Sequence, residues 1–204
     1  MVAHFVTVLF TAYMTYVAWP GSSLFSWHPF FMTAAFMLLM TEAILIFSRE
    51  SSLLGKEEHK RKVTVHWVLQ TCAVICATLG FCAIFYNKYL NDKPHFKSWH
   101  GFIGIITLVY ILMQSLGGTC VLYYKYMKGF TLAQLKLYHA TSGLVVFTLV
   151  TASLWLGMCS NWFTTNVTGT SWYACMACPS ILALVVMNQI TSAYLPKAKA
   201  TGRK

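Results

Sequence analysis

Charged side chains are scarce in this chain. Asp and Glu together number 5 and Lys plus Arg 15 of 204 residues, 10% in all. A soluble domain carries roughly 25%, so the scarcity excludes a chain folded mainly in water. Internal repeats, low-complexity tracts and linkers are also missing, so residues 1–204 read as one transmembrane domain. The first apolar run lacks the basic leader and the A-x-A type cleavage site of a signal peptide, and it is long for that role. It reads as a membrane helix. A second C-x-x-C pair is absent too: Cys175 and Cys178 stand alone in an apolar run, so most of the seven cysteines read as small buried hydrophobes and not as a zinc ribbon.

Apolar side chains, at 57% of the residues, are what the chain has instead. Runs close to the roughly 20 residues that span a bilayer occur at Val2 to Trp19, His28 to Phe47, Val63 to Tyr86, Trp99 to Tyr124, Leu137 to Met158 and Trp172 to Leu195. The pattern predicts an all-α membrane protein of six transmembrane helices. Trp19, Trp27, Tyr86, Trp99, Trp162 and Trp172 mark one interface, and Trp67, Tyr123, Tyr124, Tyr138 and Tyr194 the other.

The net charge of +10 does not point to nucleic acid, because the basic residues sit in short segments between apolar runs. They report topology. Lys88, Lys93 and Lys97 lie on one side. Arg49, Lys56, Lys60, Arg61, Lys62, Lys125, Lys128, Lys136, Lys197, Lys199, Arg203 and Lys204 lie on the other. Positive segments stay in the cytoplasm, which predicts that both termini are cytoplasmic.

Ionisable groups inside membrane spans are costly and mark functional sites. His4, near the terminus, and His59 and His95, in charged connections, read as solvated. His28, His66, His100 and His139 each fall within about the first turn of a span, on four consecutive helices. Consecutive helices run in opposite directions, so depth pairs His28 with His100 near the outer face and His66 with His139 near the cytoplasmic face. Facing imidazoles in a bundle can fill both axial positions of a haem iron. The central bundle of helices two to five is therefore expected to hold two haems, with the irons roughly 20 Å apart along the normal. Zinc would need three or four ligands at one centre, and each depth offers two.

At these residues the chain resembles the cytochrome b561 family, in its small two-haem type. The matching stretches are PGSSLFSWHP at Pro20 to Pro29, HWVLQ at His66 to Gln70, SWHGFIG at Ser98 to Gly104, KLYHATSGLV at Lys136 to Val145 and LGMCSNWF at Leu156 to Phe163. The resemblance runs from Pro20 nearly to the C-terminus. It implies that the four histidines ligate two haem b groups. It also implies that cytoplasmic ascorbate reduces the inner haem, and that electrons pass to monodehydroascorbate or ferric iron on the far side. The activity implied is that of an ascorbate-dependent transmembrane oxidoreductase in an endomembrane, with a homodimer as one possible assembly. The pattern also leads one to expect a cytoplasmic leader, whereas the first helix here begins almost at Met1.

A monoanionic donor would be drawn by cations within a Debye length, about 8 Å at physiological salt. Lys60, Arg61, Lys62 and Lys136 precede His66 and His139 and are candidates, although the same residues serve as topology signals. His95 is a candidate over the outer site, against the simpler reading of a solvated loop residue. Glu42, about 21 Å deeper than His28, is expected to pair with a cationic group, to tune the inner site or to reach to the interface. Gly101, Gly104, Gly117, Gly118 and Gly143 allow close approach of a macrocycle or simply of a neighbouring helix. Asn166-Val167-Thr168 is a glycosylation sequon in a short outer connection. Two other functions fit the same residues: a metal-ion or proton transporter using the intramembrane histidines and Glu42, and a haem subunit reduced by a protein partner.

Overall fold

The structure, a computed structural model, describes residues 1–194. The end of the last span at Leu195 and the tail cations Lys197, Lys199, Arg203 and Lys204 lie outside the described residues. The described chain is helical, and its helices are α1 (Val2–Ala18), α2 (Trp27–Leu45), α3 (His59–Leu90), α4 (Trp99–Leu122), α5 (Leu132–Met158), a short α6 (Asn161–Asn166) and α7 (Gly169–Tyr194). Five of these, α2 to α5 and α7, are long and apolar enough to cross a membrane. The 17-residue α1 is a shorter apolar helix. Together they make a multi-pass integral membrane protein. Large apolar side chains such as Ile75 and Leu79 on α3, Met113 and Leu116 on α4 and Leu184 on α7 are exposed, as lipid-facing positions should be.

The boundaries move outward from the sequence expectation where local chemistry extends a helix. Helix α5 starts at Leu132, ahead of the expected Leu137, because Thr131 and Gln134 form a reciprocal capping box. Helix α3 was expected from Val63 to Tyr86. It runs for 32 residues because nothing from His59 to Lys62 or beyond Tyr86 breaks it. At about 1.5 Å per residue it outreaches a hydrocarbon core of about 30 Å at both ends. Helix α4 opens where Ser98 accepts from the Gly101 amide, which fixes His100 in the first turn. Two features were not anticipated: the short α6, capped by Ser160, and a π-helical stretch, Ala34–Met40, within α2. The Thr41 hydroxyl donates to Phe36 O, 2.9 Å away and five residues back, which fits the widened turn.

Packing divides the central helices into two antiparallel hairpins. α2 lies along α3 and α4 along α5, while contact between the hairpins is sparse and runs mainly from α3 to α4. α1 rests on α2 and α7, and α7 packs against α5. The tightest packing lies on this outer side of the bundle, around Phe10, Met37, Leu45, Val150, Leu182 and Val186. α3 and α4 bury the smallest share of their apolar length.

One polar contact fastens α1 to α2. His4, expected to be solvated, is buried. Its Nδ1 lies 2.7 Å from Glu42 Oε2, its Nε2 bonds to Ser51 O, and Thr7 Oγ1 is 3.0 Å from Glu42 Oε1. His4 is drawn in because Glu42 faces α1 within the bundle, and a carboxylate in an apolar setting needs a partner there. Removing one partner should cost about 3 kcal/mol, at the lower end of the range for a buried pair. We expect His4→Leu and Glu42→Leu each to lower the melting temperature of the detergent-purified protein. The double variant should fall by less than the sum of the two.

Candidate functional site

The two hairpins carry the four histidines in a reciprocal pattern. Within the first hairpin, His28 of α2 donates from Nδ1 to Gly80 O of α3 at 3.0 Å, and His66 of α3 donates from Nδ1 to Ala43 O of α2 at 2.8 Å. Gly80 permits this closeness, since a Cβ there would meet Phe31 Cβ at 3.1 Å. Within the second hairpin, His100 of α4 donates from Nδ1 to Ser153 O of α5 at 2.9 Å. His139 of α5 has its Nδ1 3.2 Å from the Gln114 amide nitrogen of α4. A carbonyl only accepts, so Nδ1 of His28, His66 and His100 carries the ring proton and Nε2 keeps its lone pair.

Across the hairpins the rings meet in the pairs that depth predicted. His28 and His100 have centroids 5.9 Å apart with planes at 74°. His66 and His139 have centroids 6.3 Å apart with planes at 83°. Two imidazoles on opposite sides of one metal, with bonds of about 2 Å and ring centres about 1.1 Å behind the nitrogens, would have centroids about 6 Å apart. Each pair has the spacing to clamp a single metal between hairpins, and the Nε2 lone pairs of His28, His66 and His100 supply donors for it. A cavity of about 290 Å³ opens at the His28–His100 pair, lined also by Phe36, Lys88, His95 and Gly104.

Glycines back the two rings of the second hairpin. A Cβ at Gly118 would lie 3.1 Å from His139 Cε1, and one at Gly157 would lie 3.1 Å from His100 Cε1. Of the glycines picked out in the sequence, Gly117 and Gly118 face the His139 ring and Gly143 faces Gln114, whereas Gly101 meets its own Ser98 cap and Gly104 meets the Ser153 side chain. Gly157 and Gln114 escaped the sequence reading. Gln114 had a signal, an amide in the middle of an apolar run; Gly157 had none beyond its place in LGMCSNWF.

The remaining candidates are spread between the two ends. His95 is half-buried, unlike a solvated loop residue, because its ring stacks on Phe85 at 4.2 Å. At the other end Lys60 and Arg61 are exposed and Lys62 half-exposed on the first turn of α3. Arg61 is paired with Glu57 at 2.9 Å, and Lys62 donates to Gly55 O. Lys136 is half-buried, three residues before His139 on α5. His59 is exposed, with its ring 5.9 Å from that of Phe47. Glu42 is the partner of His4, and its neighbour Ala43 holds His66. Asn166 is exposed at the end of α6.

The sequence pattern of eukaryotic cytochrome b561 matches residues 27–164, which contain α2 to α5 and all four site histidines. The chain is 50% identical to transmembrane reductase CYB561D2 of Bos taurus over 193 residues, covering 95% of this chain and 87% of that protein. It is 45% identical to probable transmembrane reductase CYB561D1 of Mus musculus, covering 98% and 87%. It is 28% identical to lysosomal membrane ascorbate-dependent ferrireductase CYB561A3 of Mus musculus, covering 86% and 74%. A matched pattern over the whole four-helix region, joined to close likeness along nearly the full chain, means that this protein belongs to the eukaryotic cytochrome b561 family of haem b-binding transmembrane reductases.

Proposed function

We propose that this protein carries electrons one at a time across the bilayer through two haem b groups, from cytoplasmic ascorbate to monodehydroascorbate or ferric iron on the far side. The observation that carries the reading is the pairing of four intramembrane imidazoles. Each ties its own hairpin through Nδ1, and each faces a ring of the other hairpin at about the spacing that two ligands of one metal require. His28 and His100 hold the outer group; His66 and His139 hold the inner. When bound between two imidazoles, haem b would supply a one-electron couple suited to electron transfer rather than oxygen binding. Among the described residues no three of His, Cys, Asp and Glu converge on one centre, so the set suits paired axial ligation better than a zinc or transport site.

The residues of the chain do the rest. Carbonyls at Gly80, Ala43 and Ser153 orient three rings and raise their basicity. Lipid-facing apolar side chains keep water from the path. Lys60, Arg61, Lys62 and Lys136 draw the anionic donor to the inner end, where ascorbate loses one electron and one proton and leaves as monodehydroascorbate. At the outer end His95 and Lys88, lining the cavity beside His100, meet the acceptor, and ferric iron gains the electron to become ferrous. Both termini face the cytoplasm, and the compartment is an endomembrane. Support for the donor and the ferric acceptor comes from the likeness to an ascorbate-dependent ferrireductase; support for the orientation comes from the distribution of Lys and Arg.

A pyridine haemochrome assay should give two haems per chain, and His66→Ala or His139→Ala should lose the inner one and abolish ascorbate-driven reduction of the other in liposomes. His28→Ala or His100→Ala should leave the inner haem reducible and stop ferric reduction outside; identical behaviour of the His66 and His28 variants would refute the series. Neutralising Lys60, Arg61 and Lys62 together should slow haem reduction by ascorbate several-fold at low salt, as measured by stopped flow, and flatten its salt dependence. Arg61 should contribute least, being paired with Glu57. Gly157→Leu and Gly118→Leu should each cut haem retention at one site alone, seen as haem content falling towards one per chain.

A further inference from the structure

Three of the four site histidines are held by groups that permit one tautomer. His28, His66 and His100 each set Nδ1 on a main-chain carbonyl, at 3.0, 2.8 and 2.9 Å. His139 alone faces a side chain that can present either a donor or an acceptor. The Gln114 amide nitrogen stands 3.2 Å from His139 Nδ1 and donates to His139 O at 2.7 Å, while Gln114 Oε1 accepts from Ser142 Oγ at 2.7 Å. In this arrangement an N–H faces Nδ1. That nitrogen is then the accepting one, and the ring proton belongs on Nε2. A protonated Nε2 has no lone pair for a metal.

Turning the amide over reverses the contacts to His139 Nδ1 and Ser142 and breaks the third. Gln114 Oε1 then accepts from Nδ1–H, and the amide nitrogen donates to Ser142 Oγ. The Ser142 hydroxyl in turn donates to Tyr138 O, which is 2.6 Å away. What is lost is the bond to His139 O, beside which the amide oxygen comes to lie. Gly143 makes room for the whole arrangement, since a Cβ there would sit 2.8 Å from the amide nitrogen.

We infer that Gln114 is a positioning residue for His139: the orientation of its amide decides which ring nitrogen is free, so one ligand of the inner pair is conditional where the other three are fixed. The inference rests on the reading of His139 as a haem ligand. In the ligating state Gln114 Oε1 accepts from Nδ1–H, and the strength of that acceptor sets how much electron density the ring passes to the metal. A carboxylate at this position is a stronger acceptor and an aliphatic chain is none.

The test is a redox titration of Gln114→Glu, Gln114→Leu and Ser142→Ala in detergent-purified protein, followed by optical and EPR spectra. His139→Ala and His100→Ala assign the signal of each haem. Gln114→Glu should lower the midpoint potential of the His66–His139 haem, Gln114→Leu should raise it, and Ser142→Ala should shift it less than either; the other haem should keep its wild-type potential in all three. If a buried Glu prevents accumulation of the protein, the rise in Gln114→Leu carries the test. Wild-type potential and EPR signal at the inner haem in the Gln114 variants, or equal shifts at both haems, would overturn the inference and leave the ligand assignment standing. Retention of both haems by His139→Ala would overturn the assignment, and this inference with it.

Discussion

An imidazole inside a bilayer has two nitrogens and no water, and that constraint organises the centre of this protein. Each ring must find a partner for both nitrogens or bear the cost of an unpaired polar group in an apolar medium. The chain meets the first demand within a hairpin: α2 holds a ring of α3 and is held in return, and α4 and α5 do likewise. The second nitrogen is left to face the other hairpin. Sparse packing between hairpins and dense packing on the α1 and α7 side are the two sides of this arrangement. Stability is gathered where helices can interlock, and the region between the hairpins is given to the site.

Sequence carried the pairing of the histidines because depth is a one-dimensional property. His28 and His100 stand in the first turn of their helices, His66 and His139 lie about two turns into theirs, direction alternates, and the depth at which each ring sits follows by counting. Spans could be read for a similar reason, since apolar length is set by membrane thickness. What could not be read is what depends on rotation about a helix axis. The partners of Nδ1 are main-chain carbonyls at Gly80, Ala43 and Ser153, which leave no trace in side-chain chemistry. Gly157 approaches His100 for the same rotational reason.

His4 shows a different limit. Its place near the start of the chain suggested solvent, yet it is sealed against Glu42 and Ser51. Distance along the chain from a terminus says little about burial once the first helix packs from its first turn. The cue lay with Glu42, an acid within an apolar run, which needs a cationic or hydrogen-bonding neighbour wherever it is not at the interface. In the same way the T-x-x-Q pattern at Thr131 and Gln134 was a readable start signal for α5, obscured by the weaker hydropathy ahead of Leu137.

The exchange of rings between hairpins also bears on how the molecule is made. Of the four central helices, synthesis delivers α2 and α3 first, bearing His28 and His66, and at that stage each pair has one member. His100 arrives with the start of α4, but His139 follows only after the whole of α4 and the turn beyond it have left the ribosome. The His28–His100 pair can thus close before the His66–His139 pair, and a nascent chain halted between α4 and α5 would carry one closed pair and one half-pair. Biogenesis therefore has a built-in order, with the last-translated hairpin arm completing the set.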